Sequence, residues 1–80
     1  DHAYIWSQIT RAIYGQAVID RMEISGTQIK LEGKSPSVER IIKILQQDKV
    51  FSNVKIIGSV NSSAKSGQET MKISMTINKG

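Results

Sequence analysis

The last part of the chain alternates strictly between apolar and polar side chains. Its apolar members are Met71, Ile73, Met75 and Ile77. Because successive residues of a β-strand point to opposite faces, this alternation predicts a strand that buries one face. A register slip of one residue would expose the whole apolar set, so the pattern also fixes the register. We therefore expect the chain to fold around a sheet that is covered on one face.

Composition favours strands and limits the size of the core. Thirteen of the apolar residues are Ile, against two Leu and five Val, and β-branched side chains suit a pleated, half-buried surface. A chain of 80 residues buries only about 60% of its surface on folding. We expect residues 1–80 to form a single globular domain with one thin core.

Two helical and four strand patterns follow one another along the chain. The first helix carries apolar residues at i, i+4, i+7 and i+8 and the second at i, i+3, i+4 and i+7. Gly26 supplies a tight hairpin turn between the first two strands. In chain order, the predicted elements are a helix over Ala3–Tyr14, strands over Val18–Ser25 and Gln28–Glu32, a helix with Ser35 as N-cap and Pro36 as first residue, a strand over Asn53–Val60, a polar loop over Asn61–Gln68, and the final alternating strand.

This αββαββ order predicts the α+β class. A four-stranded antiparallel sheet with both helices on one face, a two-layer sandwich, buries every apolar stripe. The strand order expected is 1-2-4-3, a circularly permuted ferredoxin-like plait, with the final strand in the interior of the sheet.

The sequence offers little for catalysis, and we predict no enzyme, cofactor or metal site. The chain has no Cys, and its one histidine, His2, has no ligand or acid partner at a useful spacing. Gly33-Lys34-Ser35 ends like a phosphate-binding loop, but the glycine required five residues earlier is Gln28. No two carboxylates are expected to converge in an apolar site, as acid–base catalysis requires.

Nucleic-acid binding is also not expected. The net charge is 11 − 7 = +4, but the open face of the predicted sheet lacks aromatic rings on which bases could stack. The aromatic residues fall in or near helices, where we expect them to pack in the core. They are Tyr4, Trp6, Tyr14 and Phe51.

Protein binding remains as the function favoured by the pattern. The first and third strands are expected at the edges of the sheet, where unpaired backbone groups accept another chain. The candidate interface residues, all expected on the open side, are Ile19, Arg21, Lys55 and Ile57.

Several segments between Trp6 and Ile77 resemble the PilN fimbrial-assembly family. The matching segments are Trp6-Ser7-Gln8-Ile9, the strand before Ser25-Gly26-Thr27, Ile29-x-Leu31-x-Gly33, the helix with Ile41, Ile42 and Leu45, and Val50-Phe51-Ser52-Asn53-Val54. Two positions depart from the family pattern: Tyr14 stands where Pro is common before Gly15, and Met71 stands where an aromatic residue is common.

The resemblance implies a periplasmic domain of a protein anchored in a bacterial inner membrane by one helix. Such proteins belong to the assembly platform of type IV pili, and type II secretion uses similar domains. The implied partners are a second copy or a PilO-type companion domain, and an actin-like cytoplasmic protein bound through segments outside this chain. Asp1 would then mark the boundary of a fragment from a longer protein, and no catalytic residue is implied.

Two other functions fit the same pattern of elements. The first is a BON-like or ring-building periplasmic module that binds lipid or self-assembles. The second is a small RNA-binding domain with a ferredoxin-like fold, for which salt-dependent binding of oligonucleotides would be diagnostic.

Overall fold

The computed structural model describes residues 2–78, so Asp1, the side chain of His2, Lys79 and Gly80 lie outside the described part. The expectations placed on Asp1 and on the His2 side chain therefore stay predictions. The elements are α1 (His2–Ala12), β1 (Val18–Ser25), β2 (Gln28–Ser35), α2 (Val38–Gln47), β3 (Phe51–Ile56), β4 (Asn61–Ser62) and β5 (Glu69–Ile77). No helix within this range is long and apolar enough to span a membrane.

The strands form one antiparallel sheet in the order β1-β2-β5-β3, and the short strand β4 pairs with β5. The predicted α+β class with two layers is confirmed. The sheet has five strands rather than four, because Asn61 and Ser62 pair with Thr70 and Glu69 inside the segment predicted to be a loop. The alternating strand β5 lies in the interior, between β2 and β3.

Both helices cover the same face of the sheet. Ile5 and Ile9 of α1, together with Ile13 directly after it, join the core side chains of α2 and the inward residues of the strands in one cluster. Helix α2 packs against β2, β3, β5 and α1. The apolar residues of β5 that begin its alternation, Met71 and Ile73, are fully buried. This core leaves the other face of the sheet open.

The start of α2 differs from the prediction. Ser37, not Ser35, is the N-cap, and its side chain accepts a hydrogen bond from the backbone N–H of Arg40. Ser35 instead ends β2 and pairs with Glu69 on β5. Since sheet pairing holds Ser35 in extended backbone before Pro36, the helix begins two residues later than its Ser-Pro signal indicates.

Strand β1 contains a β-bulge that changes which side chains face the helices. Ile19 pairs with Gly33 and Arg21 pairs with Glu32, so Asp20 is the extra residue. Ile19 therefore packs against the core beneath the helices. The prediction that Ile19 faces the open side is wrong, because the extra residue reverses the alternation at that point.

Strand β3 is shorter than predicted and also bulged. Its register with β5 shifts between Ser52 and Lys55, where Asn53 has a φ of 52°. Beyond the bulge, Lys55 pairs with Ser74, and the N–H of Ile57 donates to the carbonyl oxygen of Lys72 at 2.8 Å. Lys55 and Ile57 therefore lie on the open face, as predicted.

Candidate protein interface

The four predicted interface residues do not form one site. Arg21 lies on the open face at the β1 side of the sheet, whereas Lys55 and Ile57 lie toward the β3 side, with β2 and β5 between them. Ile19 lies on the opposite, helix-covered face. A partner that contacted all four residues would have to wrap around the sheet. The four residues therefore do not belong to one contact surface.

Charges of opposite sign alternate across the open face. Arg21 of β1 is beside Glu32 of β2, which is beside Lys72 of β5. In the neighbouring row Glu23 is beside Lys30. Opposite charges directly across adjacent strands stabilise a sheet. Cations nevertheless outnumber anions in these rows, and within the described residues of this face no aromatic ring is present on which a base could stack.

Three of the four aromatic residues are exposed, which corrects the prediction that they pack in the core. Tyr4, Trp6 and Tyr14 are 56%, 44% and 83% exposed, and only Phe51 is buried. The reason is the register of the first helix. Its buried stripe is Ile5, Ile9 and Ile13, so a side chain one position before or after a member of the stripe is rotated about 100° away from the core.

Trp6, Thr10 and Tyr14 recur every four residues beside that buried stripe, and we call these three residues the α1 flank. The opposite side of the helix faces α2, because the Gln8 amide donates to the carboxylate of Asp48 at the end of α2. The α1 flank therefore points away from α2, toward β1.

A groove of about 270 Å³ separates the α1 flank from the beginning of β1. Its walls are Trp6, Thr10, Ile13, Tyr14, Gly15, Ala17 and Ile19. Ile19 thus contributes to a surface formed with the helix instead of the open-face surface that the sequence predicted. The flank was detectable in the sequence, since aromatic residues at positions 6 and 14 share one side of a helix whose core stripe is at 5, 9 and 13.

Strand β1 is an edge of the sheet next to this groove. It pairs with β2 on one side, and within residues 2–78 no strand pairs with its other side. At the opposite end of the sheet, β3 and β4 both pair with β5. The outer backbone groups of β1 are therefore available to a partner strand.

The hairpin register shows which backbone groups of β1 point outward. Ser25 and Gln28 close a two-residue turn in which Gly26 has a φ of 61°. The closing pair of such a turn exchanges hydrogen bonds, and hydrogen-bonded and non-hydrogen-bonded pairs then alternate along the ladder. The N–H and C=O groups of Met22 and Ile24 consequently point away from β2. We call the segment Arg21–Ser25, after the bulge, the β1 edge.

Among the described side chains, those of residues 3–78, no group of three Asp or Glu is placed to hold a metal ion. Comparison with protein-family models, with curated proteins and with solved structures gives no significant match.

Proposed function

We propose that this domain is a non-catalytic protein-interaction module that works by pairing with another folded domain. The observation that carries the proposal is the concentration of exposed apolar side chains beside the unpaired strand β1. Trp6 and Tyr14, at 44% and 83% exposure, line the groove at the start of that strand, and Val18, its first residue, is 64% exposed.

An exposed apolar surface and a free sheet edge favour the same kind of partner. Covering exposed apolar side chains with a partner removes them from water, which favours binding. A free edge provides directional backbone hydrogen bonds to a strand of that partner. A folded domain with its own edge strand satisfies both requirements, whereas a small molecule in the groove would cover apolar groups but leave the free edge unpaired.

The cellular setting we propose is the inner-membrane assembly platform of type IV pili or of type II secretion. The basis is the resemblance of residues 6–77 to the PilN family. In this setting the domain lies on the periplasmic face of the membrane and pairs with a second copy or a PilO-type companion. Segments outside this chain supply the membrane anchor and the contact with an actin-like cytoplasmic protein.

Light scattering after size-exclusion chromatography tests the pairing. The 80-residue domain is measured alone and mixed with a PilO-type companion domain, and we expect at least one species heavier than the 8.9 kDa monomer. A mass of one domain in every sample would overturn the proposal.

Two substitutions on the helix locate the contact. We expect Trp6→Ser to weaken pairing, because Trp6 lines the groove beside β1. Tyr4→Ser is the matched control, since Tyr4 is as exposed but does not line the groove. Equal pairing by both variants would place the contact elsewhere.

A further inference from the structure

We propose that the pairing partner is a second copy of this chain, joined antiparallel through the β1 edge with Met22 opposite Met22 of the other copy. The inference rests on the proposed function and names its partner and register. The two sheets would continue into one another about a two-fold axis that passes between the two Met22 residues.

The backbone of β1 permits this register. Met22 is in a non-hydrogen-bonded pair with Leu31 of β2, so its N–H and C=O point outward. Two copies related by a two-fold axis at Met22 exchange both of these groups as one hydrogen-bonded pair. Ile24 also points outward and comes opposite Asp20 of the second copy, where the bulge ends the regular pairing.

The side chains on the open face are complementary in the same register. Arg21 comes opposite Glu23 of the second copy, and Glu23 comes opposite Arg21 of that copy. Within one chain these two side chains already form an ion pair, with 2.7 Å between Nη2 and Oε1. The join therefore assembles two cations and two anions in alternation, and opposite charges facing across strands stabilise the pairing.

Neighbouring registers lack this complementarity. An axis at Glu23 would also use the outward backbone groups of Met22 and Ile24, but it would bring two carboxylates together and leave Arg21 opposite Ser25. An axis at Ile24 would place Glu23 opposite Ser25 and leave Arg21 without an acidic residue across the join. Only the register centred on Met22 combines outward backbone groups with opposite charges on both sides of the axis.

The position of α1 also favours a second copy as the partner at the β1 edge. Both α1 helices would lie on the same face of the continuous sheet, with each α1 flank directed toward the join. Trp6 and Tyr14 would then be covered by the other copy. The β3 edge is a poorer template, because the bulge at Asn53 interrupts its pairing in the middle.

Charge reversal at two positions tests the register. We expect the unchanged chain to sediment at twice 8.9 kDa, and Arg21→Glu or Glu23→Arg alone to raise the dimer Kd about tenfold or more by placing like charges together. A mixture of the two variants restores both opposite-charge pairs, so we expect a heterodimer there. Lys55→Glu, on the same face at the other side of the sheet, is the matched control and leaves the Kd unchanged.

Hydrogen exchange resolved by residue gives a second readout that needs no variant. The Met22 N–H should exchange more slowly as protein concentration rises, whereas the Glu23 N–H, bonded to β2, should be protected at every concentration. If a variant fails to fold, the concentration dependence of Met22 N–H exchange in the unchanged chain still tests the β1 join.

The outcomes separate the two proposals. A dimer that tolerates both charge reversals, or a Met22 N–H whose exchange ignores concentration, would overturn the β1 join. So would a chain that is monomeric alone but binds a PilO-type domain, although domain pairing as the function would survive that result. Only a monomer in every sample, alone and mixed, would contradict both the β1 join and domain pairing as the function.

Discussion

The carboxylate of Glu69 on β5 accepts a hydrogen bond from the backbone N–H of Val38, the first residue of α2, at 2.8 Å. The two residues are 31 positions apart, so the sheet itself supplies a cap for the helix. A helix N-terminus has backbone N–H groups without partners in the helix, and a negative charge there is favourable. Together with the Ser37 N-cap, this contact fixes where α2 begins.

Removing this carboxylate should destabilise the domain. We expect Glu69→Ala to lower the free energy of unfolding by about 1–2 kcal/mol, because the Val38 N–H loses a charged acceptor. Glu69→Gln keeps an acceptor oxygen and should lose less. Urea denaturation of both variants measures the difference. Glu39→Gln is the control for loss of a negative charge near the helix start without loss of the Val38 contact, since Glu39 is exposed in the first turn of α2 and pairs with Lys43. A loss as large as that of Glu69→Ala would contradict the capping role.

The buried hydroxyl of Ser35 joins three segments. It lies 2.9 Å from the carbonyl oxygen of Gln16 and accepts from the N–H of Ser37 at 3.1 Å. Ser35→Ala would leave these two backbone groups without that partner, so we expect a loss of about 1–3 kcal/mol in the free energy of unfolding. Chemical denaturation tests this, with Ser66→Ala in the exposed loop as control. Equal midpoints for the two variants would show that the Ser35 contacts contribute nothing to stability.

Gly33 is required by the bulge in β1. A Cβ at this position would clash with the carbonyl oxygen of Val18 and would lie 3.1 Å from Cε of Met71. Because the first of these atoms is backbone in a paired strand, it cannot move without disturbing the sheet. We expect Gly33→Ala to cost about 2–3 kcal/mol, in the range of overpacked cores.

Thermal or urea denaturation of Gly33→Ala measures this loss. Lys34→Ala, one residue further along the same strand and exposed, is the control and should stay within about 0.5 kcal/mol of the unchanged chain. A Gly33→Ala variant as stable as the control would mean that the bulge can relax away from β2.

The sequence predicted the layers of the fold because apolar periodicity dominates in a small core. The strict alternation that starts at Met71 predicted a half-buried strand, and the Gly26 turn predicted the first hairpin. Short pairings have no such signal, which is why β4 was missed. Likewise, two serines flank Pro36, and only the pairing of Ser35 with Glu69 determines which of them caps the helix.

The candidate site was harder to predict because one inserted residue reverses a strand's faces. Regular alternation backwards from Met22 would place Asp20 under the helices and Ile19 outside. A carboxylate buried without a partner is costly, and this conflict was the available signal for a bulge. The bulge instead leaves Asp20 exposed and brings Ile19 into the groove beside Trp6.

Ile19 and Ile57, which the sequence assigned to one surface, should therefore respond differently to the same substitution. Ile19 is half-buried beneath the helices, whereas Ile57 is 38% exposed on the open face. We expect Ile19→Ala to lower the free energy of unfolding by about 1–2 kcal/mol and Ile57→Ala by about 0.5 kcal/mol or less. Ile73→Ala, in the centre of the core, is the reference for a fully buried residue, with an expected loss of about 2–5 kcal/mol in the free energy of unfolding. Urea denaturation of the three variants ranks them, and an Ile57→Ala loss equal to or above that of Ile19→Ala would contradict the placement of the bulge.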